Sequence, residues 1–296
     1  MKVTIITPYY NGEKYMDGYI DCMLANKKKL EEHGDCMDVI LVNDSPDKKL
    51  EVGEGAKAFI KVLTNDENSG IHQSRVNGLV ATDADYVMFL DQDDLIEDDA
   101  IAQMISLIKE NDSRADVIVA NARLEQSDGT SLVWYRTPYH KSVIGDYETY
   151  LNVGTQIISP GQCLIKRDSI PDFWVKNIQK INGSDDYYLW LLMLAKGCRF
   201  EYFDKPLYKH VYTAKNLSAD TTATDDSIYE FLEMLSDCDY VEQKDIFKVH
   251  DMITYKAQFR ASGKVGKITS SLANLGICIT NIIYKRKTDT KLGFNR

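Results

Sequence analysis

The sequence predicts an α/β protein with a mostly parallel sheet flanked by helices and with a helical extension at its C-terminal end. Short apolar runs that end in polar residues alternate with helical patterns, and the chain after about Asp225 is helical throughout. The chain has 296 residues, of which 44% are hydrophobic and 27% charged, so it can bury a full core. This composition excludes a disordered or fibrous protein.

Strands and helices alternate along the first 120 residues. Five apolar runs predict strands at Val3 to Thr7, Val39 to Val42, Phe59 to Leu63, Tyr86 to Leu90 and Val117 to Ala120. Helical patterns lie between them at about Glu13 to Glu32, Ile71 to Ala81 and Glu97 to Asn111. Such alternation is typical of a parallel sheet, in which ligands bind beyond the carboxyl ends of the strands.

The pattern is looser from Arg123 to Val153, where Asp128-Gly129 predicts the turn of a hairpin and we expect an acceptor-side insertion. A helix from about Asp185 to Lys196 is apolar nearly all round, which indicates burial, and Gly197 is its expected C-cap. Residues Arg199 to Tyr212 predict a short strand and a turn.

Cysteine usage and the first residues of the chain predict a cytoplasmic protein. The six cysteines are scattered without a CxxC pair or a histidine cluster, which favours neither a disulfide framework nor a zinc site. The apolar stretch after Met1 is too short for a signal peptide and predicts a first strand instead.

Four polar segments follow predicted strands, at the edge where ligand is expected. They are Pro8-Tyr9-Tyr10-Asn11-Gly12, Asn43-Asp44-Ser45-Pro46, Asn68-Ser69-Gly70 with Ser74-Arg75-Val76-Asn77-Gly78, and Asp91-Gln92-Asp93-Asp94. Taken singly, each also has a structural explanation, because such residues form turns, cap helices or lie on solvated helix faces.

The last of these segments is the one that a structural role explains least well. Asp91, Asp93 and Asp94 place three carboxylates within four positions at the end of a buried strand. Their repulsion favours a hard divalent cation, and Mn²⁺ or Mg²⁺ held by carboxylates and water can also bind a diphosphate. Capping of the next helix is the alternative for Asp93 and Asp94.

Together the segments resemble family 2 glycosyltransferases of the GT-A fold over about the first 215 residues. The family motifs Pro-x-Tyr-Asn and Asp-Asp-Gly-Ser correspond to Pro8 to Asn11 and Asn43 to Ser45. The stretch Asn-x-Gly-x-x-x-Ala-Arg-Asn-x-Gly corresponds to Asn68 to Gly78, and Asp-x-Asp to Asp91 to Asp93. Departures include Asn43 in the second-strand motif, Ser74 before Arg75 and, in the base motif described below, Asp185; none of the three removes a group that the reaction needs.

The resemblance implies a GT-A, Rossmann-like fold and a nucleotide-sugar donor, expected to be a UDP-sugar. It places donor contacts at Pro8, Tyr10, Asn11, Asp44, Asn68, Gly70, Arg75, Asp91 and Gln92. Asp93 and Asp91 are the expected ligands of Mn²⁺ or Mg²⁺, and His210 is a further candidate. A lone strand histidine is as readily explained by a structural role, so both explanations of His210 stay open.

The family's catalytic base lies in a Glu-Asp pair at the start of a buried helix, and Asp185-Asp186 resembles that pair. Asp186 is then the base. The alternative is that Ser184, Asp185 and Asp186 cap the helix and complement its dipole.

The resemblance further implies inverting transfer of a hexose or N-acetylhexosamine to a hydroxyl of a saccharide or lipid-linked saccharide, in cell-surface polysaccharide or glycan assembly. Single-sugar transfer is expected because the Gln-x-x-Arg-Trp motif of processive members is not found. A non-catalytic nucleotide-sugar-binding or scaffold protein is the alternative, against which Asp186 and Asp91 to Asp93 count. No GxGxxG follows the first strand, and the net charge of −10 disfavours nucleic acid as a partner.

We expect a catalytic domain over residues 1–215, divided into a nucleotide-sugar-binding half (1–120) and an acceptor-side half (121–215), and a helical extension over 216–296. The extension is basic at its end, with nine basic residues and the single acid Asp289 from Lys256 to Arg296. Its 17 uncharged residues from Ile268 to Tyr284 are too polar and too few to span a bilayer.

An apolar stripe at helical spacing lies in this extension. It consists of Ile268, Leu272, Leu275, Ile279 and Ile282, flanked by Lys264, Lys267 and Lys285-Arg286-Lys287. Two explanations stay open: contact of residues 264–291 with an anionic membrane at its cytoplasmic face, and a terminal helix packed on the rest of the protein.

Overall fold

The structure, a computed structural model, describes residues 1–110, 113–125, 130–211 and 221–290. These residues form two compact units, each made of three stretches of chain. The sheet unit comprises the described residues of Met1–Trp134, Ile157–Lys180 and Cys198–Ala214, and the helical unit those of Tyr135–Gln156, Ile181–Gly197 and Lys215–Arg296. The division into continuous domains at residue 215 stays a prediction.

All strands of the described residues belong to one sheet in the sheet unit. They are β1 (Lys2–Tyr9), β2 (Cys36–Asn43), β3 (Ile60–Thr64), β4 (Tyr86–Phe89), β5 (Leu95–Ile96), β6 (Val117–Glu125), β7 (Ser131–Val133), β8 (Cys163–Lys166) and β9 (Phe200–Val211). The order across the sheet is β3-β2-β1-β4-β8-β6-β9-β5, with β7 paired to β6. The first four strands are parallel, and the sheet is mixed beyond β4.

The sheet unit also contains four of the helices: α1 (Met16–Glu31), α2 (Gly70–Val80), α3 (Ala100–Glu110) and α6 (Asp172–Lys176). Those of the helical unit are α4 (Pro138–Ser142), α5 (Tyr147–Asn152), α7 (Asp185–Ala195), α8 (Thr221–Leu235), α9 (Gln243–Ala261), α10 (Lys264–Ala273) and α11 (Leu275–Thr288). The predicted α/β class with a C-terminal helical region is thus confirmed.

The core lies where apolar strand residues meet the apolar faces of the helices. Val3, Ile5 and Ile6 of β1 are wholly buried, as their run of β-branched residues predicts. Helix α2 packs closely on β1, since a Cβ atom added to Gly78 would lie only 2.3 Å from Cγ2 of Ile6. This packing brings the first turn of α2 to the carboxyl edge of the sheet.

The second half of the sheet differs from the prediction at β9. A short strand and a turn were expected over Arg199 to Tyr212, but β9 is one strand of 12 residues. It pairs in parallel with β6 along its length, and an irregularity between Ala120 and Ala122 shifts the register. The antiparallel pairing of β6 with β7 confirms the predicted hairpin strands, while Asp128-Gly129 lies outside the described residues.

Helix α7 is the buried helix that the sequence predicts. Tyr188, Trp190 and Leu192 are fully buried, so residues on every side of the helix meet protein. Gly197 follows with a φ of +78°, the left-handed conformation expected of a C-cap glycine. No helix within the described ranges is both long and apolar enough to cross a membrane.

Candidate active site at the carboxyl edge of the sheet

The four parallel strands end at one edge of the sheet, and the polar segments that follow them are tied together there. The backbone N–H of Asp44 donates to the carbonyl of Tyr9 at 2.8 Å, which joins the segments after β1 and β2. The N–H of Asn65 donates to the carbonyl of Asn43 at 3.0 Å, which adds the segment after β3. The predicted donor-binding segments are therefore neighbours.

Gln92 fixes the loop after β1 to the segment after β4. The backbone N–H of Tyr10 donates to Gln92 Oε1, and Gln92 Nε2 donates back to the carbonyl of Tyr10, both at 3.0 Å. The loop can approach this closely because residue 12 is glycine: a Cβ atom there would lie 2.1 Å from Gln92 Oε1. The Tyr10 side chain remains 52% exposed and free to stack on a ligand.

Asp44 is buried and holds the start of α2. Its carboxylate accepts hydrogen bonds from the backbone N–H groups of Ser69 and Gly70, at 2.7 and 2.9 Å, and from Asn65 Nδ2 at 2.7 Å. These contacts satisfy donors that the first turn of a helix leaves without intrahelical partners. Whatever Asp44 contributes to a ligand, it also positions Gly70 at the edge of the sheet.

An amide network that sequence reasoning missed supports these contacts. Besides its bond to Asp44, Asn65 Nδ2 donates to Ser74 Oγ at 3.0 Å, and Asn77 Nδ2 donates to Asn65 Oδ1 at 2.8 Å. Asn65 directly follows β3, and ligands bind beyond the carboxyl ends of parallel strands, so its position is the signal that could have identified it. The network connects two turns of α2 with the strand edge.

Arg75 and Asp91 form the central ion pair of the edge. A terminal guanidinium nitrogen of Arg75 lies 2.7 Å from Asp91 Oδ1, and the Arg75 side chain is only 4% exposed. Burial raises the pKa of Asp91 to about 6; the Arg75 charge opposes this, while the charges of Asp94 and Asp93 add to it. Arg75 thus pairs with Oδ1 of Asp91, which leaves the second carboxylate oxygen, Oδ2, available to another ligand.

Asp94, Tyr208 and His210 form a second polar group beside the first. The buried Asp94 carboxylate accepts a hydrogen bond from the Tyr208 hydroxyl, and its Oδ1 lies 3.6 Å from His210 Nδ1. Asp93 is exposed, and partial desolvation together with the Asp94 charge raises its pKa. Asp94, which the sequence suggested as a helix cap, is thus a buried partner of β9.

The predicted metal ligands are not brought together as a complete set of protein ligands. Within the described ranges, no group of three His, Cys, Asp or Glu side chains is arranged to hold a metal ion. Mg²⁺ and Mn²⁺ nevertheless bind through one or two carboxylates when phosphate oxygens and water complete the shell. Asp93 and the free oxygen of Asp91 fit that arrangement, while His210 faces Asp94.

The remaining predicted residues are placed as follows. Pro8 is half-buried in β1, Asn11 has a φ of +48°, and Asn68 is exposed before α2. Asp186 belongs to the helical unit, at the first turn of α7, where the backbone N–H of Tyr187 donates to its Oδ1 at 2.7 Å. Asp186 is half-buried and its neighbour Asp185 is buried, so Asp186 is the more accessible carboxylate.

Comparison with known proteins now identifies the family. The model of "Glycosyl transferase family 2" matches residues 4–174, which is more than half of the chain and includes every one of the post-strand segments. The chain belongs to glycosyl transferase family 2. The match ends before Asp186, so it covers the carboxyl edge and not the predicted base.

Individual relatives of this family 2 chain match it over shorter stretches. It is 31% identical over 125 residues to the Glycosyltransferase GlyA of Streptococcus pneumoniae, covering 40% of this chain and 16% of GlyA. It is 28% identical over 128 residues to the Poly(ribitol-phosphate) beta-N-acetylglucosaminyltransferase TarP of Staphylococcus aureus, covering 42% of this chain and 37% of TarP. The chain thus spans less than half of the length of each.

A solved structure extends the likeness to nearly the whole chain. The S. aureus TarS fragment 1–349 in complex with UDP-GlcNAc superposes with a TM-score of 0.57 at 18% identity, covering 88% of this chain and 74% of that one. At this identity the likeness concerns the fold alone, and it confirms the GT-A prediction.

Proposed function

We propose that this family 2 chain is a glycosyltransferase that moves one sugar from a UDP-sugar to an acceptor hydroxyl with inversion at the anomeric carbon. The Arg75–Asp91 pair at the carboxyl edge is the observation that carries the proposal, because it fixes a carboxylate beside Asp93 where the strands meet. The family match over residues 4–174 and the UDP-GlcNAc complex of TarS support it.

The donor nucleotide binds along the segments after β1, β2 and β4. Tyr10 stacks on the base, and the Tyr10–Gln92 hydrogen bonds hold the loop that carries it. Asp44 keeps Gly70 and the start of α2 beside the base, and Asn11, Asn68 and Pro8 border the same edge. Asp91 contacts the ribose of the donor or the metal ion.

Asp93 and Asp91 are the residues that hold Mn²⁺ or Mg²⁺ in this proposal, with phosphate oxygens completing the shell. When bound there, such an ion would supply positive charge to offset the negative charge that develops on the leaving diphosphate. His210, through Asp94, orients the segment that carries Asp93. Arg75 keeps Asp91 ionised against its burial, so that the carboxylate can bind a cation.

Asp186 is the proposed general base. Its carboxylate accepts the proton of the acceptor hydroxyl while that oxygen attacks the anomeric carbon, and the bond to the nucleoside diphosphate breaks. General-base assistance of this kind contributes roughly 10²- to 10⁴-fold in rate. We propose a saccharide or lipid-linked saccharide as acceptor, used at the cytoplasmic face of a membrane in cell-surface glycan assembly.

Isothermal titration of UDP into the protein with Mn²⁺, and again with EDTA, tests the donor site. We expect binding with Mn²⁺ that weakens strongly with EDTA or in Asp93→Ala. Asp168→Ala is the matched control, since Asp168 is an exposed aspartate of the same unit. Binding of GDP in place of UDP would overturn the donor assignment, and binding of neither would overturn the proposal.

Asp186→Asn separates catalysis from binding. The substitution keeps the size of the side chain but removes its capacity to take a proton, so we expect turnover of a UDP-sugar to fall by roughly 10²- to 10⁴-fold. UDP affinity should stay within about twofold of the wild type. Full activity in this variant would reject the base assignment and favour the helix-capping explanation.

The second candidate is a non-catalytic protein that binds a nucleotide-sugar. The half-buried, accessible position of Asp186 counts against it. Tight UDP binding with no hydrolysis or transfer of any UDP-sugar, in wild type and Asp186→Asn alike, would favour this alternative.

A further inference from the structure

Helix α10 exposes its large apolar residues, and none of its residues is buried. Val265, Ile268 and Leu272, spaced for one helical face, are 76, 62 and 68% exposed. To one side of this face the polar Ser271 is half-buried, and its Oγ lies 3.3 Å from the Tyr255 hydroxyl of α9. An amphipathic helix in a globular protein usually turns its apolar face to the core. Packing within the helical unit therefore does not explain why α10 has an apolar face.

Helix α11 also buries polar groups while it leaves apolar residues exposed. Tyr284 donates from its hydroxyl to Gln156 Oε1 at 2.6 Å, and Asn281 and Thr288 are fully buried. Ile279 and Ile283 are 47 and 45% exposed. The sequence left two explanations open, packing on the protein and contact with a membrane, and they concern different faces. One face of α11 packs on its own unit, and the apolar stripe lies outside.

Basic residues stand at both ends of the stripe. Lys264 precedes it, and Lys285 and Arg286 follow it, all three exposed and without an ion-pair partner in the part of the chain that the structure describes. From Lys256 to the end of the sequence there are nine basic residues and one acid, although the whole chain has a net charge of −10. An anionic surface would attract this segment and repel the remainder of the protein.

We propose that α10 and α11 form a docking surface for an anionic lipid bilayer. Seven exposed apolar side chains match the acyl boundary, and the basic ends match the headgroups. They are the five residues of the stripe together with Val265 and Ile283. A second copy of the chain fits less well, because a two-fold contact through this face would place the basic residues of one copy against those of the other, where they repel.

The docking surface and the transfer reaction can be tested separately, because lipid binding requires no donor nucleotide. Deletion of residues 264–296 would be a poor test, since it removes the buried Tyr284 from the helical unit. Substitutions at exposed positions avoid this difficulty and leave the packing face of α11 intact.

The experiment is co-sedimentation of the full chain with vesicles of phosphatidylcholine alone and of phosphatidylcholine mixed in equal parts with phosphatidylglycerol. The variants are Ile268→Ser with Leu272→Ser, and Lys285→Gln with Arg286→Gln. The matched controls are Phe247→Ser, an exposed apolar residue of α9 that is 58% exposed, and Lys28→Gln, an exposed lysine of α1. Circular dichroism verifies that each variant folds.

We expect the wild type and both controls to bind the anionic vesicles and to be released by high salt. The charge variant should lose roughly 30-fold in partition coefficient, and the apolar variant roughly 10-fold or more. Absence of binding to anionic vesicles, or equal binding by all variants, would overturn the proposal. A dimer in sedimentation velocity that the apolar variant abolishes would also overturn it, by assigning the stripe to a second copy.

Discussion

Asp44, which we propose at the donor site, also has a role in the fold. Its two oxygens accept three protein hydrogen bonds, two of them from backbone N–H groups at the start of α2. A carboxylate that served the donor alone would stand free at the edge of the sheet. Asp44 is instead buried, so its first effect is on the position of the helix that borders the site.

Asp44→Asn should therefore lower the stability of the protein as well as its affinity for UDP. The amide has only one acceptor oxygen, and its NH₂ group would face a backbone donor, which costs roughly 1–3 kcal/mol of unfolding free energy. Urea denaturation measures this loss, with the exposed Asp47→Asn as control. Unchanged stability with lost UDP binding would contradict the positioning role.

At this scale the sequence identified the residues of the edge but not their partners. Arg75 and Asp91 were each expected at the donor, yet their direct ion pair depends on the packing of α2 on β1, the strand that pairs with β4. Asn65 was missed although it directly follows β3, because the motif that guided the prediction in this part of the chain begins only at Asn68. Partners of this kind depend on the relative positions of elements, which spacing along the chain does not encode.

Helix α2 joins the site to the sheet, and its contact with β1 depends on a glycine. Gly78 lies where any side chain would meet Ile6, so the helix can approach the strand only without a Cβ atom. The approach sets the depth of Arg75 and Ser74, which precede Gly78 by one turn and face the strand ends. Loss of this contact would shift the backbone of α2 and with it the positions of Arg75 and Ser74.

Gly78→Ala should destabilise the protein although alanine favours helices. The new methyl group would lie 2.3 Å from Cγ2 of the wholly buried Ile6, and overpacking of this kind costs roughly 1–3 kcal/mol. Gly18→Ala in α1 is the matched control, because nothing lies within 4 Å of its added Cβ and helix propensity should raise stability by about 0.5–1 kcal/mol. Thermal unfolding of both variants gives the comparison, and stabilisation of both would contradict the close packing of α2 on β1.

Element types were predictable and the full length of β9 was not. Runs such as Val3 to Thr7 and Tyr86 to Leu90 are apolar enough to indicate strands by themselves, and they lie within two residues of the observed bounds. Strand β9 contains Asp204, Lys205 and Pro206, which resemble a turn. Its pairing with β6, with the register shifted near Asn121, overrides that local preference.

For the molecule as a whole, the site is assembled from parts that are far apart in sequence, so ligand binding and folding are linked. Tyr10, Asp44 and Asp91 follow three different strands, Arg75 belongs to α2, and only the folded sheet brings these segments to one edge. An unfolded chain offers no such arrangement, and a ligand that requires it binds the native state alone. Binding must then raise the unfolding temperature.

UDP with Mn²⁺ should accordingly stabilise the whole protein. At a ligand concentration of about 100 times Kd the gain is about 2.7 kcal/mol, which corresponds to a rise in Tm of about 5 °C. EDTA should remove most of this rise, because the diphosphate then faces the carboxylates of this edge without a cation to offset their charge. Asp93→Ala should have a similar effect, because it removes a proposed ligand of that cation. Asp186→Asn should retain the full rise, since a base that acts on the acceptor contributes little to nucleotide binding. Scanning calorimetry of the three proteins measures the effect, and a rise that persists undiminished in EDTA would separate donor binding from the metal.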